Sequence, residues 1–438
     1  MNNVSKNSSY GNKEALIPSS YKVNRITLYN HKGQSLDIQN IVTKTEISES
    51  IYSNTLICKL SVRDEMNLIA EFPIIGQERV EIKLSRRKGN DENAINHMFY
   101  VTEYPVFGRN KNERVQAWVL SGVSEHAYIS KFKKISQSVE GLTSDIIQSV
   151  FQDKLGIEVN IDAKPISTFK GIINTQTPLS AVEWLRSRTF DDNQSPYYLY
   201  QTLNGKVHLS SHTGLVSQLP YFDYIDARHF NYDAATENDY LQRAHRILEI
   251  TSDLKLGKIF QASSGAYASK NFYLNIANKT LTESTFSYNL QENSISKKKP
   301  LSSYSKIDDE TLDKHYEAYY DYTPMNTMAY GNSHTNFNAL KNQSDGSTRA
   351  YIENLETNSH DIKLFGDFNL NAGVIIEIKI PKSIDPTIQK DVLKEDKYSA
   401  FDNHLSGNYM ITSAIHTFQD GEYFTNLRIK RDSFNIEV

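Results

Sequence analysis

The sequence predicts a β-rich α+β protein of several domains, and three observations lead there. Short runs with period-two alternation dominate the chain, one central stretch switches to helical periodicity, and one strand pattern recurs near both ends. The 438 residues exceed one ordinary core, since roughly 150 residues per domain suggests about three domains.

Residues 1–20, rich in Asn and Ser, are expected to form an N-terminal arm. From Tyr21 the pattern becomes β: Val23–Tyr29, Ile38–Ile47, Thr55–Val62, Arg79–Leu84, Phe99–Phe107 and Arg114–Gly122 are predicted strands. They make a first β-domain over 21–125. A smaller α+β domain over 126–235 follows. Thr143 and Ser144 cap a predicted helix over Asp145–Leu155 that Gly156 ends, and Thr177-Pro178 opens a second helix running to about Arg188. Tyr197–Leu203 and Lys206–Ser211 then read as a hairpin around Asn204-Gly205, a dipeptide suited to a type I′ turn.

Strands resume at His245–Thr251, Asn271–Ile276 and Thr280–Tyr288, with Asn278-Lys279 as a tight turn between the last two. Leu290–Gly346 is polar and lacks sustained periodicity, which marks an insertion. A short helix at Ser347–Leu355 and strands within Asp361–Ile380 and Asn408–Arg431 complete the chain. The second β-domain is thus expected over 236–289 and 347–438, interrupted by the insertion at 290–346.

Composition narrows function. The formal charge of −4 and the absence of a basic block beyond Lys297-Lys298-Lys299 disfavour stable nucleic-acid binding. The lone Cys58 cannot close an intramolecular disulfide and reads as a buried strand thiol, which fits folding in a reducing cytoplasm. No apolar run approaches the roughly 20 residues of a membrane-spanning helix, and the N-terminus shows no export signal. The 27 tyrosines suit strands and partner interfaces.

No catalytic constellation emerges. His-Glu-x-x-His, the P-loop and the Gly-x-Ser-x-Gly elbow are absent, and one cysteine excludes thiolate zinc clusters. Asp191-Asp192 and Asp308-Asp309 could serve a glycosidase, but adjacent acids in polar loops are usually solvated. His31, His97, His212, His315, His334 and His360 are scattered through expected loops, and His245 and His416 fall in expected strands, without ligand spacing. Trp184, among Leu179, Val182 and Leu185, reads as a core residue. Gly76, Gly205, Gly366 and Gly421 read as strand-end turns. Tyr316, Tyr319, Tyr320 and Tyr322 suit a protein interface or a sugar platform, with the interface favoured. The expectation is a non-enzyme with no catalytic, cofactor or metal site.

The repeat carries the most information. Val80-Glu81-Ile82-Lys83-Leu84 matches Ile376-Glu377-Ile378-Lys379-Ile380, and Tyr100-Val101-Thr102-Glu103 matches Met410-Ile411-Thr412-Ser413. Each second motif precedes a turn and a further strand, Val115–Leu120 in one case and Tyr423–Ile429 in the other. Two β-domains built alike account for both sets, with Val80, Ile82 and Leu84 facing one side and Ile376, Ile378 and Ile380 facing the corresponding side.

Several segments together resemble a known family: Ile74–Ile82, Pro178–Leu185, Pro196–Gly205, Gly265–Ser269, Phe365–Phe368 and Leu405–Thr412. The sequence is similar to the baseplate hub proteins of T-even-type contractile phages and, more distantly, to the hub half of type VI secretion spike proteins. The resemblance implies two tube-type antiparallel β-barrels and a homotrimer whose pseudo-sixfold ring joins a threefold tail spike to a sixfold tail tube. It further implies contacts with the spike, tube or tube-initiator proteins and other baseplate proteins, transient passage of DNA, and residence in the virion after assembly in the host cytoplasm. The alternatives are a tail-associated carbohydrate-binding protein or a peptidoglycan hydrolase.

Overall fold

The computed structural model describes residues 21–65, 68–72, 74–86, 94–103, 108–109, 116–226, 245–254, 258–276, 278–288, 314–325, 335–356, 358–382, 401–402 and 405–432. The expected arm, Lys297–Lys299, Asp308-Asp309 and His334 lie outside these residues. The protein is a β-rich α+β fold.

The first β-unit contains β1 (Tyr21–Tyr29), β2 (Ser35–Asp37), β3 (Val42–Ser50), β4 (Ser53–Asp64), the short helix α1 (Leu68–Glu71), β5 (Arg79–Arg86), β6 (Ile95–Glu103), β7 (Gly108–Arg109) and β8 (Gln116–Ser124). Alternation sets its faces. Val80, Ile82 and Leu84 are fully buried while Glu81 and Lys83 turn outward, as period two requires. They pack with Ile26, Leu28, Ile47, Leu60, Phe99 and Trp118 in one core. Cys58 is buried in that core. The expected strand at Ile38–Ile47 starts late, because Gln39–Ile41 forms a 3-10 turn anchored by Ile38 N–H on the Ile26 carbonyl at 3.0 Å.

The middle region comprises α2 (Glu125–Lys131), β9 (Ile135–Leu142), α3 (Thr143–Val150), β10 (Val159–Ile161), β11 (Thr168–Gln176), α4 (Pro178–Arg186), β12 (Tyr197–Gln201), β13 (Val207–Ser211) and α5 (His212–Val216). α3 continues through a π-helical turn, Phe151–Leu155, to Gly156, whose φ of 71° supplies the left-handed stop. Thr177 caps α4 by accepting the Ser180 N–H. Ile147, Phe151, Val182 and Leu185 bury one face of these helices against Tyr197, Leu199 and Leu209. The β12–β13 connection is not the expected two-residue type I′ turn. Only Gly205 has positive φ, and the loop closes one step further out through Thr202 N–H on Lys206 O.

The second β-unit contains β14 (Asp223–Ile225) and β15 (Glu249–Leu254). After a long connection carrying α6 (Lys258–Ser263), β16 (Ala268–Asn275), β17 (Thr280–Ser287), β18 (Tyr320–Met325) and α7 (Thr335–Leu355), it continues with β19 (Asn358–Phe365), β20 (Ile375–Lys379), β21 (Gly407–Gln419) and β22 (Glu422–Arg431). Ile376 and Ile378 are fully buried, with Ile380 nearly so, in a core with Leu364, Tyr409, Ile411 and Ile429. β21 and β22 are joined by Asp420-Gly421, both at positive φ, a tight two-residue turn.

One expectation is corrected here. β16 and β17, expected in the second β-domain, form a separate sheet with β18, because Tyr273 and Phe286 bury away from the larger sheet while α7 packs on them. Fourteen strands drawn from both β-units form one hydrogen-bonded sheet, joined where β21 meets β3. Ladder pairing does not close either unit among the described residues. In the second unit, bonds from Ile225 N–H to His245 O and from Ile247 N–H to Ile225 O, each 2.9 Å, link the two ends of the strand path.

Candidate functional site

The two β-units share one plan. In chain order their strands are β1, β3, β4, β5, β6, β8 and β14, β15, β19, β20, β21, β22, and in space β1-β5-β6-β8-β4-β3 and β14-β20-β21-β22-β19-β15. The order is the same. Register agrees too: Val80 lies opposite Phe99, and Ile376 opposite Tyr409. One departure is the first pair, antiparallel for β1 and β5 but parallel for β14 and β20.

The units join edge to edge. β3 pairs antiparallel with the second half of β21, from Ser50 opposite Ser413 to Lys44 opposite Gln419. Side chains reinforce the seam: Ser413 Oγ donates to Glu49 O, and Ser50 Oγ to Thr412 O, both at 3.1 Å.

Glu49 sits at the centre of this joint with its carboxylate fully buried. Oε1 accepts the N–H of Ala372 at 2.7 Å, and Oε2 that of Leu203 at 2.5 Å. The first lies in the second β-unit and the other in the middle region, so one carboxylate ties three parts of the chain. His416 Nε2 stands 3.6 Å from Oε1, and its Nδ1 pairs with the Tyr423 hydroxyl at 2.7 Å. His97 Nε2 meets the Leu203 carbonyl at 2.5 Å, and burial holds this imidazole below its ordinary pKa. Sequence reasoning passed over Glu49, although a signal existed: it shares the inward parity of Thr45 and Ile47 on β3.

Several buried or half-buried histidines among the described residues pack against rings or hydrogen-bond to hydroxyls. His360 contacts Ser252 Oγ and Tyr409 OH, His212 contacts Tyr198 OH, and His245 stacks on Phe222 with ring centres 4.1 Å apart. Burial lowers both His212 and His360 to about 4. His31 and His315 are exposed. Among the described residues no group of three acids, histidines or cysteines is placed to hold a metal ion.

Asp191 departs from expectation, being buried instead of solvated. Its carboxylate accepts from Asn193 N–H, Ser195 N–H, Ser195 Oγ and Thr213 Oγ1, which ties the loop before β12 to α5. Trp184 packs edge-on to Phe169 at 5.0 Å under the guanidinium of Arg188. Gly366 is no turn glycine: a Cβ there would lie 2.1 Å from the Tyr423 ring, so close approach requires it. Gly76, Gly205 and Gly421 do have positive φ. Tyr320 and Tyr322 lie exposed on the β16–β18 sheet, where Tyr322 stacks on Phe272 at 4.8 Å and Leu274 and Leu281 extend the apolar surface.

No protein-family profile matches the sequence, and no curated protein does. Solved structures do. A tail protein from Neisseria meningitidis MC58 aligns over 94% of this chain and 97% of its own at a TM-score of 0.54 and 10% identity. The 43 kDa tail protein of prophage MuSo2 from Shewanella oneidensis aligns over 94% and 100% at 0.50 and 12%. The chain has the fold of these two tail proteins. The likeness runs nearly end to end, so the tail-protein fold includes both β-units and the middle region between them.

Proposed function

We propose that this chain is a structural hub subunit of a contractile phage-tail baseplate, three copies of which form a ring. The observation that carries this is the same six-strand order occurring twice in one chain and spliced edge to edge. A trimer of such chains presents six similar β-units, so a threefold spike and a sixfold tube can meet on one ring. The first unit spans 21–125 and the middle region 126–235. The insertion is wider than 290–346, since β16 and β17 lie off the main sheet. Partners would be the spike, the tube or its initiator proteins and other baseplate proteins, in a virion assembled in the host cytoplasm. The role is structural, without catalysis.

DNA would pass through the ring without being held. Each phosphate contacted by Lys or Arg adds salt-dependent affinity, and a net charge of −4 suits a wall that lets the polyanion slide. Native mass measurement of the assembled ring tests the reading: three copies with interfaces above about 2,000 Å² are expected, and any other copy number at the hub rejects it. The exposed Tyr320 and Tyr322, packed on the half-buried ring of Phe272, favour a second reading, a tail-associated carbohydrate-binding component, which glycan-array binding lost in Tyr322→Ala would support.

A further inference from the structure

β3 and β4 are joined by a tight turn at Ile51-Tyr52, whereas their counterparts β15 and β19 are separated by a module that holds α6, the β16–β18 sheet and α7. The module occurs once per chain. One face of its sheet is closed from within, since Tyr273 and Phe286 are buried and Phe286 packs with Tyr267, Tyr288 and Ala350 of α7. The other face is open. Register sets Phe272 opposite Glu283 and Tyr322, Leu274 opposite Leu281 and Pro324, and Lys270 opposite Thr285 and Tyr320, so all of these side chains share it. Leu274, Leu281, Tyr320 and Tyr322 are between 46% and 66% exposed. The apolar patch they make is on the order of 500 Å², toward the upper end of what a monomeric protein leaves uncovered. Its charges cancel, because Lys270 Nζ lies 3.5 Å from Glu283 Oε1.

We propose that this face packs against a second copy of the chain, as part of the subunit contact of the ring, and the proposal rests on that reading. Charge is the first reason. A surface built for an acidic, basic or phosphate-bearing partner presents the opposite charge, while this one pairs its own Lys and Glu and leaves leucine and tyrosine to make the contact. Obligate contacts between like subunits have that composition, a core cut in half. Area is the second reason. Covered by a matching surface, the patch would bury on the order of 1,000 Å² in all, enough for a specific contact and about half of the ring contact expected above. The third reason is supply: apolar surface left in water costs about 25 cal/mol per Å², so the face has to be covered once the chain folds, and another copy is the partner made alongside it. Leu274 and Leu281 offer a sugar hydroxyl no hydrogen bond. They favour a protein occupant over a glycan.

The test places a charge on the face in the full-length chain, as Leu281→Lys and Tyr322→Lys, and follows mass by sedimentation. Both side chains are exposed, so the fold does not need them and the melting temperature of the separated subunit should hold. Association is expected to weaken at least about tenfold in each, since an unpaired ammonium would be buried at the contact. Leu219→Lys, the same change at a residue 85% exposed in the loop after α5, should leave the mass unchanged. A second arm replaces Tyr322 with the photo-crosslinker p-benzoylphenylalanine, and illumination is expected to link one copy to another. If trimers form, survive both lysine variants and give no photo-linked copies, the face is free and this contact is wrong while the ring reading stands; glycan-array binding lost in Tyr322→Lys would then assign the face to sugar. A chain that stays monomeric and unlinked at every concentration overturns both.

Discussion

Thr102 and Thr412 are the same residue in two settings: each is the bulged position where its strand crosses from one neighbour register to the next. Val101 faces Gly122 and Glu103 faces Ser121, one residue being skipped, and Ile411 faces Ile429 while Ser413 faces Arg428, again with one skipped. A bulge bends and twists its strand locally. Its recurrence at matching places is a stronger sign of common construction than alternation, which any two amphipathic strands share.

Glu49→Ala should destabilise the protein by about 3 kcal/mol, because the buried N–H groups of Leu203 and Ala372 lose their acceptor. Glu49→Gln, which keeps one acceptor oxygen, should lose less. Urea unfolding of both variants checks this, and an unchanged midpoint for Glu49→Ala would refute the assignment of Glu49 as the tie between the three parts.

Gly366→Ala should cost about 1–3 kcal/mol through overpacking against the Tyr423 ring, which is itself stacked on Phe418 at 4.3 Å. Thermal unfolding reads the effect. A melting temperature equal to that of the unsubstituted chain would mean that the ring yields freely.

Stability should fall with acid between pH 6.5 and about 4. His212 and His360 titrate near 4 when folded, against about 6.5 when unfolded. The unfolded chain therefore binds more protons in this window, and the stability present above pH 6.5 is lost as pH drops through it. The loss, complete once pH is below about 4, is on the order of 3 kcal/mol for each histidine. Unfolding midpoints at pH 7.5 and 5 should differ, and His360→Leu should flatten part of the difference.

Ile376→Ala should cost about 2–5 kcal/mol, and Glu377→Ala well under 1 kcal/mol, because alternation puts the first in the core and the second outside it. Equal losses in chemical denaturation would contradict the facing of β20.

Cys58 should resist a thiol reagent until the chain unfolds. Burial pushes its pKa up and closes access, so neither thiolate nor path is present in the folded state. Rapid labelling under native conditions would show that the β4 core opens locally.

What could be read from the sequence was local. Thr177-Pro178, Gly156 and Asp420-Gly421 act through their own backbone and caps, and each forms the expected stop or turn. Asn204-Gly205 did not form its expected turn, since Thr202 and Lys206 pair and the reversal is wider. Asp191 looked like a loop acid and is buried because Ser195 and Thr213, the latter distant in sequence, converge on it.

The sequence by itself determined which side chains face a core: Val80, Ile82, Leu84, Ile376 and Ile378 follow from alternation, because a period of two leaves only two faces. It also determined that two units resemble each other. Only the tertiary structure decided which strand lies beside which. It placed β3 against β21, Glu49 between Leu203 and Ala372, and β16 and β17 in a sheet of their own. The reason is physical. Strands pair through backbone N–H and C=O groups that nearly every residue carries alike, so side-chain pattern fixes the face of a strand and leaves its neighbour to the packing of the whole.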